Sequence, residues 1–272
     1  MFRADLHCHS TCSDGSLTPE ELVMQAKAIG LSGLSITDHD TITAYQTAVE
    51  AARKAGLLLG SGVEFSCGHK GMNVHILGYD FELHNAGFNA FCERHRTRRK
   101  ERNRAILKKL AQHNMPIPEI ELEEKEKLHK TIGRPHIAEL MVAKGYVPTI
   151  REAFMLYIGD GKRCYDPGHF FSIEETITII RQAGGKAFLA HPHLIDRRKI
   201  IEELLAMPFQ GIECFYSKSP PEKEARWLRM AKEKKLLISG GSDFHGASKP
   251  GIPLGCSWVN EEVFNQIFQR RL

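Results

Sequence analysis

Histidine is the residue type that stands out, at 14 of 272 positions. Asp5-Leu6-His7-Cys8-His9 places two imidazoles at i and i+2 in a strand-like run. Side chains alternate faces along a strand, so His7 and His9 point the same way and can grip one metal ion. Alone, that pair is weak evidence. Its weight comes from where the other ionisable groups fall. Asp38-His39 closes a second apolar run, Glu64 a third, and His75 lies within a fourth. Ala190-His191-Pro192 closes a fifth, and Asp243-Phe244-His245 closes the last. Ionisable groups that interrupt apolar strands are costly to bury unless they bind something. Imidazoles and carboxylates without a thiolate suit Zn, Mn or Fe in a hydrolytic site. More than four convergent ligands imply more than one ion, and close cations lower the pKa of a bridging water to about 7. Cys8 should face away from its two histidine neighbours and, like Cys12, reads as packing.

The elements that must position these groups alternate. Strand candidates cover 4–9, 34–37, 57–65, 73–79, 187–191, 211–215 and 237–243, with amphipathic helical patterns between several of them. Thr18-Pro19-Glu20-Glu21 is a capping box with Pro at the first helical position, and Ser172-Ile173-Glu174-Glu175 repeats the box. This rhythm predicts βαβ units around a parallel sheet, open or closed into a barrel, with reactive groups at the C-terminal strand edge. Roughly a hundred residues after 79 break the rhythm, too many for an unstructured loop. They hold a long charged helix over roughly 84–113, an acidic patch at 116–126, and helical pieces near 135–144 and 149–157. The expected division is 1–83 and 166–272 for the body that carries the site, and 84–165 for a helical insertion.

Composition bounds the rest. With 42% hydrophobic and 26% charged residues, the chain reads as an ordinary globular protein, not a disordered or disulfide-dense one. No apolar run approaches the roughly 18 residues of a membrane span. Seven scattered cysteines without a CxxC pattern, and no secretory leader, point to reduced thiols in a cytoplasm. Net charge is +4, yet the stretch 94–109 holds nine Lys/Arg against the single acid Glu101, so the remainder is mildly acidic. General nucleic-acid binding driven by overall charge is not indicated.

The run Asp5-Leu6-His7-Cys8-His9, Ser13-Asp14-Gly15, Thr37-Asp38-His39-Asp40, Gly62-Val63-Glu64, Ala190-His191-Pro192 and Ser242-Asp243-Phe244-His245 resembles the PHP (polymerase and histidinol phosphatase) domain in order and spacing. Within it the chain is most similar to the TrpH/YciV-like phosphoesterases. Their pattern recurs in Gly133-Arg134-Pro135-His136-Ile137-Ala138 and Tyr157-Ile158-Gly159-Asp160-Gly161-Lys162. The resemblance implies an α/β fold, a distorted seven-stranded (β/α) barrel with a helical insertion, and two or three divalent ions (Mn, Fe or Zn) at its mouth. It implies a first metal on His7, His9, Glu64 and Asp243. A second would share Glu64 and add His75 and His191, and a third would take Asp14, His39 and His245. The implied activity is hydrolysis of nucleotide phosphate esters by a metal-bridging hydroxide. Its forms would be phosphate removal from 3′,5′-bisphosphates and 5′→3′ trimming of short 5′-phosphorylated RNA. Glu64, Asp243 and His245 would be catalytic, with Asp243, His245 or a metal-bound water protonating the leaving oxygen.

Both activities need a second phosphate held away from the scissile one. Arg134 and His136 at a helix start, Lys162 in a Gly-rich loop, and His193 after a strand end are the candidate substrate contacts. Tyr216 follows another strand end and could line the same pocket. Arg94, Arg98 and Arg102 share one helix face and fit either a solvated helix or a grip on a polyanion. His69, His84, His95, His113, His129 and His169 are assigned to surface or packing, and Trp227 and Trp258 to the core. The expected partner is a phosphorylated nucleotide or short oligonucleotide, with no membrane and no obligate protein partner. The rival readings are a histidinol-phosphatase-like enzyme, a non-catalytic accessory module of a polymerase, and an RNA-binding module.

Overall fold

The computed structural model describes residues 1–127, 131–270 and 272, so His129 lies outside the described residues. Fully buried β1 (Ala4–Cys8) pairs in parallel with β2 (Gly33–Ile36), which pairs with the two-residue β3 (Leu58–Leu59). A second sheet runs β4 (Gly62–His69), β5 (Met72–Tyr79), β6 (Lys186–Leu189), β7 (Gly211–Tyr216), β8 (Leu237–Gly241). The two sheets meet at both edges. At one, Asp243 N–H donates to His7 O at 2.7 Å and His9 N–H to Phe244 O at 2.8 Å. At the other, Asp40 N–H donates to Glu64 O at 2.9 Å.

This corrects the expected seven parallel strands. The described strands are eight, in two sheets joined at the seams by isolated bridges with no continuous ladder. The run 57–65 breaks between Leu59 and Gly62, and at Gly60 the Phe268 ring occupies the space that a Cβ would need. Lys70 and Gly71 both have positive φ, 49° and 77°, which is the geometry of a tight two-residue hairpin. That hairpin makes β4 and β5 antiparallel, and β5 is antiparallel to β6 as well. Glu64 therefore sits inside β4, not at its end.

Helices cover the sheets for readable reasons. At α1 (Pro19–Ala28) both halves of the Thr18/Glu21 capping box form, and with α2 (Tyr45–Ala55) it buries Leu22, Val23, Ala48 and Ala52 against Leu34 and Ile36. The 27-residue α3 (Ala86–Gln112), capped by Asn85, leads into α4 (Glu119–Glu126), α5 (Arg134–Ala143) and α6 (Ile150–Ala153), the last continued by a π turn over Phe154–Ile158. The first turns of α3 bury Phe88 and Phe91 on Phe65 of β4. Its last turns bury Ile106 and Leu110 in a separate core with Ile137, Met141 and Ile158. One helix thus bridges two cores, and its middle turns lie at their junction. The chain returns through α7 (Ile173–Gln182), α8 (Arg198–Leu204), α9 (Pro221–Lys234) and α10 (Glu261–Ile267). Phe264, Ile267 and Phe268 of the last turn and its exit pack with Leu6, Tyr79 and Phe188.

Trp227 is buried, but Trp258 is only half-buried, beside Val259, which pairs with Ala4 of β1. Cys8, Cys67, Cys92, Cys164 and Cys214 are buried free thiols. Among the described residues no helix is long and apolar enough to cross a membrane.

Candidate functional site

Strand ends bring the predicted groups together. His7 lies near the end of β1 and His9 just past it, His39 follows β2, His75 lies early in β5, His191 follows β6, and Asp243 and His245 follow β8. Glu64 sits among them with its two oxygens turned to different neighbours. Oε1 lies 2.8 Å from His75 Nδ1 and 2.8 Å from His191 Nε2. Oε2 lies 3.4 Å from His7 Nε2, 3.3 Å from His9 Nε2 and 3.1 Å from His39 Nδ1. Asp243 Oδ1 is 3.6 Å from His7 Nε2 and 3.4 Å from His9 Nε2. Asp14 faces His9, His39 and His245 at 3.7, 3.8 and 3.4 Å. Among the described residues, three groups have ligand atoms within metal-sharing distance: His9–Asp14–His39–His245, His7–His9–Asp243 and His39–Glu64–His75. His9 and His39 each belong to two of these groups, a sharing that the sequence reading did not include.

The buried atoms test whether cations fit. His7 Nε2, His9 Nε2, His39 Nδ1 and Glu64 Oε2 are buried without a hydrogen-bond partner. An unpaired buried polar atom costs about 1–3 kcal/mol. Four of them converge here, each a lone-pair donor, and divalent cations satisfy all four at once. The protonation equilibria agree. Burial opposes charge on His7, but Glu213, Glu64 and Asp243 outweigh it and hold its pKa well above the usual value. Burial likewise opposes charge on His9, yet Asp243 and Glu64 bring it to about 9. At His39 burial wins and the pKa falls to about 3. Glu64, Asp243 and Asp14 resist burial and stay ionised far below the usual carboxylate range beside these imidazoles. The cavity is built for positive charge.

The loops are held by their own carboxylates. Asp38 accepts from Ser10 N–H at 2.8 Å and from the Ser10 and Ser13 hydroxyls at 2.5 Å each, which shapes the turn that carries Asp14. Asp5 accepts from the backbone of His7, Ser242 and Gly255 and so ties β1 to the Asp243 loop. Tyr216 OH donates to Asp243 Oδ2 at 2.7 Å, and the Lys249 ammonium pairs with the same oxygen, leaving Oδ1 turned to His7 and His9. Asp243 (φ 55°) and His191 (φ 24°) hold backbone conformations unfavourable for L-residues, strain of the kind that surrounding structure sustains at working sites.

The middle turns of α3 meet this centre, where Arg99 reaches Asp40 and Ser66. Arg94 is exposed and paired with Glu175, as a solvated face requires. Arg98, Arg99 and Arg102 are buried instead. Arg99 holds Asp40 and donates to Ser66 Oγ at 3.0 Å. Among the described residues, Arg98 and Arg102 have no carboxylate in contact, and their Nε atoms are buried without partners. Burial, then Arg99, Arg134 and Arg98, push the Arg102 pKa well below the usual value. Arg134 pairs with Asp160 and lies 5.2 Å from the Tyr165 ring. His136 is buried, its Nδ1 accepting from Gly133 N–H at 3.1 Å. The segment just before them is anchored to the centre, since Thr131 N–H donates to Cys12 O at 2.8 Å. Lys162 is exposed, two residues from Asp160, and its ammonium has no ion pair among the described residues. His193 Nε2 donates to Cys214 O at 3.2 Å, and its ring stacks on Tyr216 at 5.6 Å. His193 therefore touches the centre through Tyr216.

An α/β protein with a six-histidine, three-carboxylate centre at the strand ends is of the metallohydrolase type. The PHP domain family model matches residues 5–147. The chain is 35% identical over 263 residues to a 5′-3′ exoribonuclease of Haemophilus influenzae, covering 94% of this chain and 91% of that one. It is 31% identical over 271 residues to a 3′,5′-nucleoside bisphosphate phosphatase of Chromobacterium violaceum, covering 94% and 91%. A crystal structure from Bifidobacterium adolescentis, provisionally described as a metal-dependent phosphoesterase, superposes with a TM-score of 0.88 at 33% identity over 97% of this chain and 94% of that one. The chain belongs to the PHP domain family.

Sequence reading missed Asp40, Arg99, Glu213 and Lys249. A signal existed for Glu213, which interrupts the apolar run Gly211-Ile212-Glu213-Cys214 as Glu64 interrupts its own. None existed for Lys249, which lies in an ordinary polar loop.

Proposed function

We propose that this chain is a phosphoric ester hydrolase that uses divalent ions to cleave phosphate esters of nucleotides, either 3′,5′-bisphosphates or short 5′-phosphorylated oligonucleotides. The observation that carries this reading is the pairing of two features. Orphaned ligand atoms converge around Glu64, and, among the described residues, Arg98 and Arg102 lie buried without a carboxylate partner on the helix that reaches β4 at Ser66. The first suits cations and the second suits an anion that those cations do not themselves hold.

His7, His9, Glu64 and Asp243 would hold one ion, with Glu64 shared towards His75 and His191, and Asp14, His39 and His245 would hold another. Bound there, Mn, Fe or Zn would supply an activated water and neutralise charge on the phosphoryl oxygens. The chain's own residues do the rest. Asp243 stays ionised and has no proton to give. His245 donates its Nδ1–H to Asp243 O at 2.9 Å, so its Nε2 carries a lone pair for an ion and no proton. Of the three expected donors, water at the metal centre would therefore protonate the leaving oxygen. Arg102, Arg134 and His136 would bind the second phosphate, with Lys162 at the exposed rim and His193 backing Tyr216. In this reading 1–83 and 166–272 form one distorted barrel closed through its seam bridges, and 84–165 roofs its mouth. The separate core of Ile106, Met141 and Ile158 supports that division.

The test is metal analysis of the purified protein together with phosphate release from adenosine 3′,5′-bisphosphate, 5′-phosphorylated dinucleotides and histidinol phosphate. The expected result is two or three ions per chain, loss of activity with a chelator, and preference for the nucleotides. Preference for histidinol phosphate would overturn the substrate assignment, and a metal-free protein that stays active would overturn the whole reading.

A further inference from the structure

Glu213 is fully buried in the middle of β7. A buried carboxylate is tolerated only when something compensates its charge. Among the described residues no lysine or arginine does so, and its ion-pair partner is His7, at 2.8 Å from Oε1 to Nδ1. The other oxygen is also committed, since Oε2 accepts the backbone N–H of His191 at 2.7 Å. Both oxygens are therefore turned away from the orphaned ligand atoms, so Glu213 is not itself a ligand in this arrangement. It grips two residues that are.

We infer that Glu213 is a positioning residue that presets two histidines of the metal centre, a role that rests on the metal-site reading above. At His7 an acceptor on Nδ1 places the ring proton there and leaves the Nε2 lone pair facing Glu64 and Asp243. Partners of this kind orient a ligating imidazole and raise its basicity. At His191 the grip is on the backbone. The residue sits at φ 24°, a conformation that needs support, and in it Nε2 lies 2.8 Å from Glu64 Oε1. One carboxylate thus fixes a histidine on each side of Glu64, from a strand that contributes no predicted ligand.

Glu213→Gln separates this role from packing because it is nearly isosteric. A Gln amide offers one acceptor and one donor, while His7 Nδ1–H and His191 N–H both need an acceptor. Either orientation leaves one of them facing an NH₂. Metal affinity is read by competition of the full chain against a calibrated chelator with Zn²⁺ and Mn²⁺. Glu213→Gln should weaken binding by about 10–100-fold, with the loss confined to the ions near His7 and His191 and the Asp14–His39–His245 ion retained. Affinity within threefold of wild type, or an equal loss at every ion, overturns the inference. If the variant does not fold, the zinc-loaded wild type decides by NMR of ¹⁵N-labelled histidine. A solvent-protected His7 Nδ1–H supports the assignment, and an Nε2–H tautomer overturns it. Failure of the wild type to bind metal would refute the metal-site reading instead.

Discussion

Arg102→Met should stabilise the ligand-free protein and damage its function, two effects of opposite sign from one substitution. Among the described residues, the buried Arg102 guanidinium has no partner at Nε, and its one side-chain bond is to the neutral Asn103 Oδ1 at 3.3 Å. Losing that bond costs about 0.5–1.5 kcal/mol. Against this, a buried ion carries a desolvation penalty of several kcal/mol, and like charges on Arg99, Arg134 and Arg98 add to it. Methionine follows the same aliphatic path past Gly168 without the charge. The net expectation is a gain of about 1–3 kcal/mol, or roughly 2–10 °C in Tm for a chain of this size. Inorganic phosphate at about a hundred times its wild-type Kd should stabilise the wild type by about 2.7 kcal/mol and the variant, binding about ten- to a hundredfold more weakly, by only about 0.4–1.4 kcal/mol. For substrates with two phosphates, loss of a charge-assisted contact of about 1.5–3 kcal/mol should lower kcat/KM by about ten- to a hundredfold. Hydrolysis of p-nitrophenyl phosphate, which has no second phosphate, should barely change. Thermal melts with and without phosphate and steady-state kinetics on both substrates read all of this. A lower Tm with equal kinetic losses on both substrates would make Arg102 a packing residue and refute the reasoning.

Other outcomes follow from the same geometry. Glu64→Ala removes the carboxylate that faces five histidines and should abolish turnover and most metal binding; retention of more than about a tenth of kcat, about 1.4 kcal/mol in barrier, would contradict its assignment. Asp14→Ala, His39→Ala and His245→Ala should each lower metal content by about one ion, measured by elemental analysis of the dialysed protein. Asp40→Asn strands buried Arg99 and should cost about 3–5 kcal/mol in chemical denaturation. Burial resists ionisation of Asp40, but Arg99 and His95 hold its pKa well below the usual value. A depressed folded pKa gives stability that is complete above the unfolded value of about 3.9 and is lost as pH falls below it, so the wild type should show an acid-side loss that Asp40→Asn lacks.

Much of the centre was legible because its residues break local rules. Ionisable groups inside apolar strands or just past their ends have no cheap structural explanation, and six such places in the chain point to one site. The Thr18 capping box is equally local, and it forms as its residues require. What was illegible depends on distance in the chain. Lys70-Gly71 lacks the Asn or Asp that usually marks a tight hairpin, so β4 and β5 read as unrelated strands. The face of α3 is a stronger case. Arg94, Arg98 and Arg102 have the same type and spacing, yet Arg94 meets Glu175 at the surface, whereas Arg98 and Arg102 lie at the junction of two cores. Helical periodicity gives the face and cannot give its depth, because depth is set by α5 and the residues before it folding back over the helix. Burial of those arginines therefore arises from tertiary contacts that no local pattern in α3 records. If the charge at 102 served packing alone, methionine would serve it better, so the proposed second phosphate is the role that Arg102→Met puts to the test.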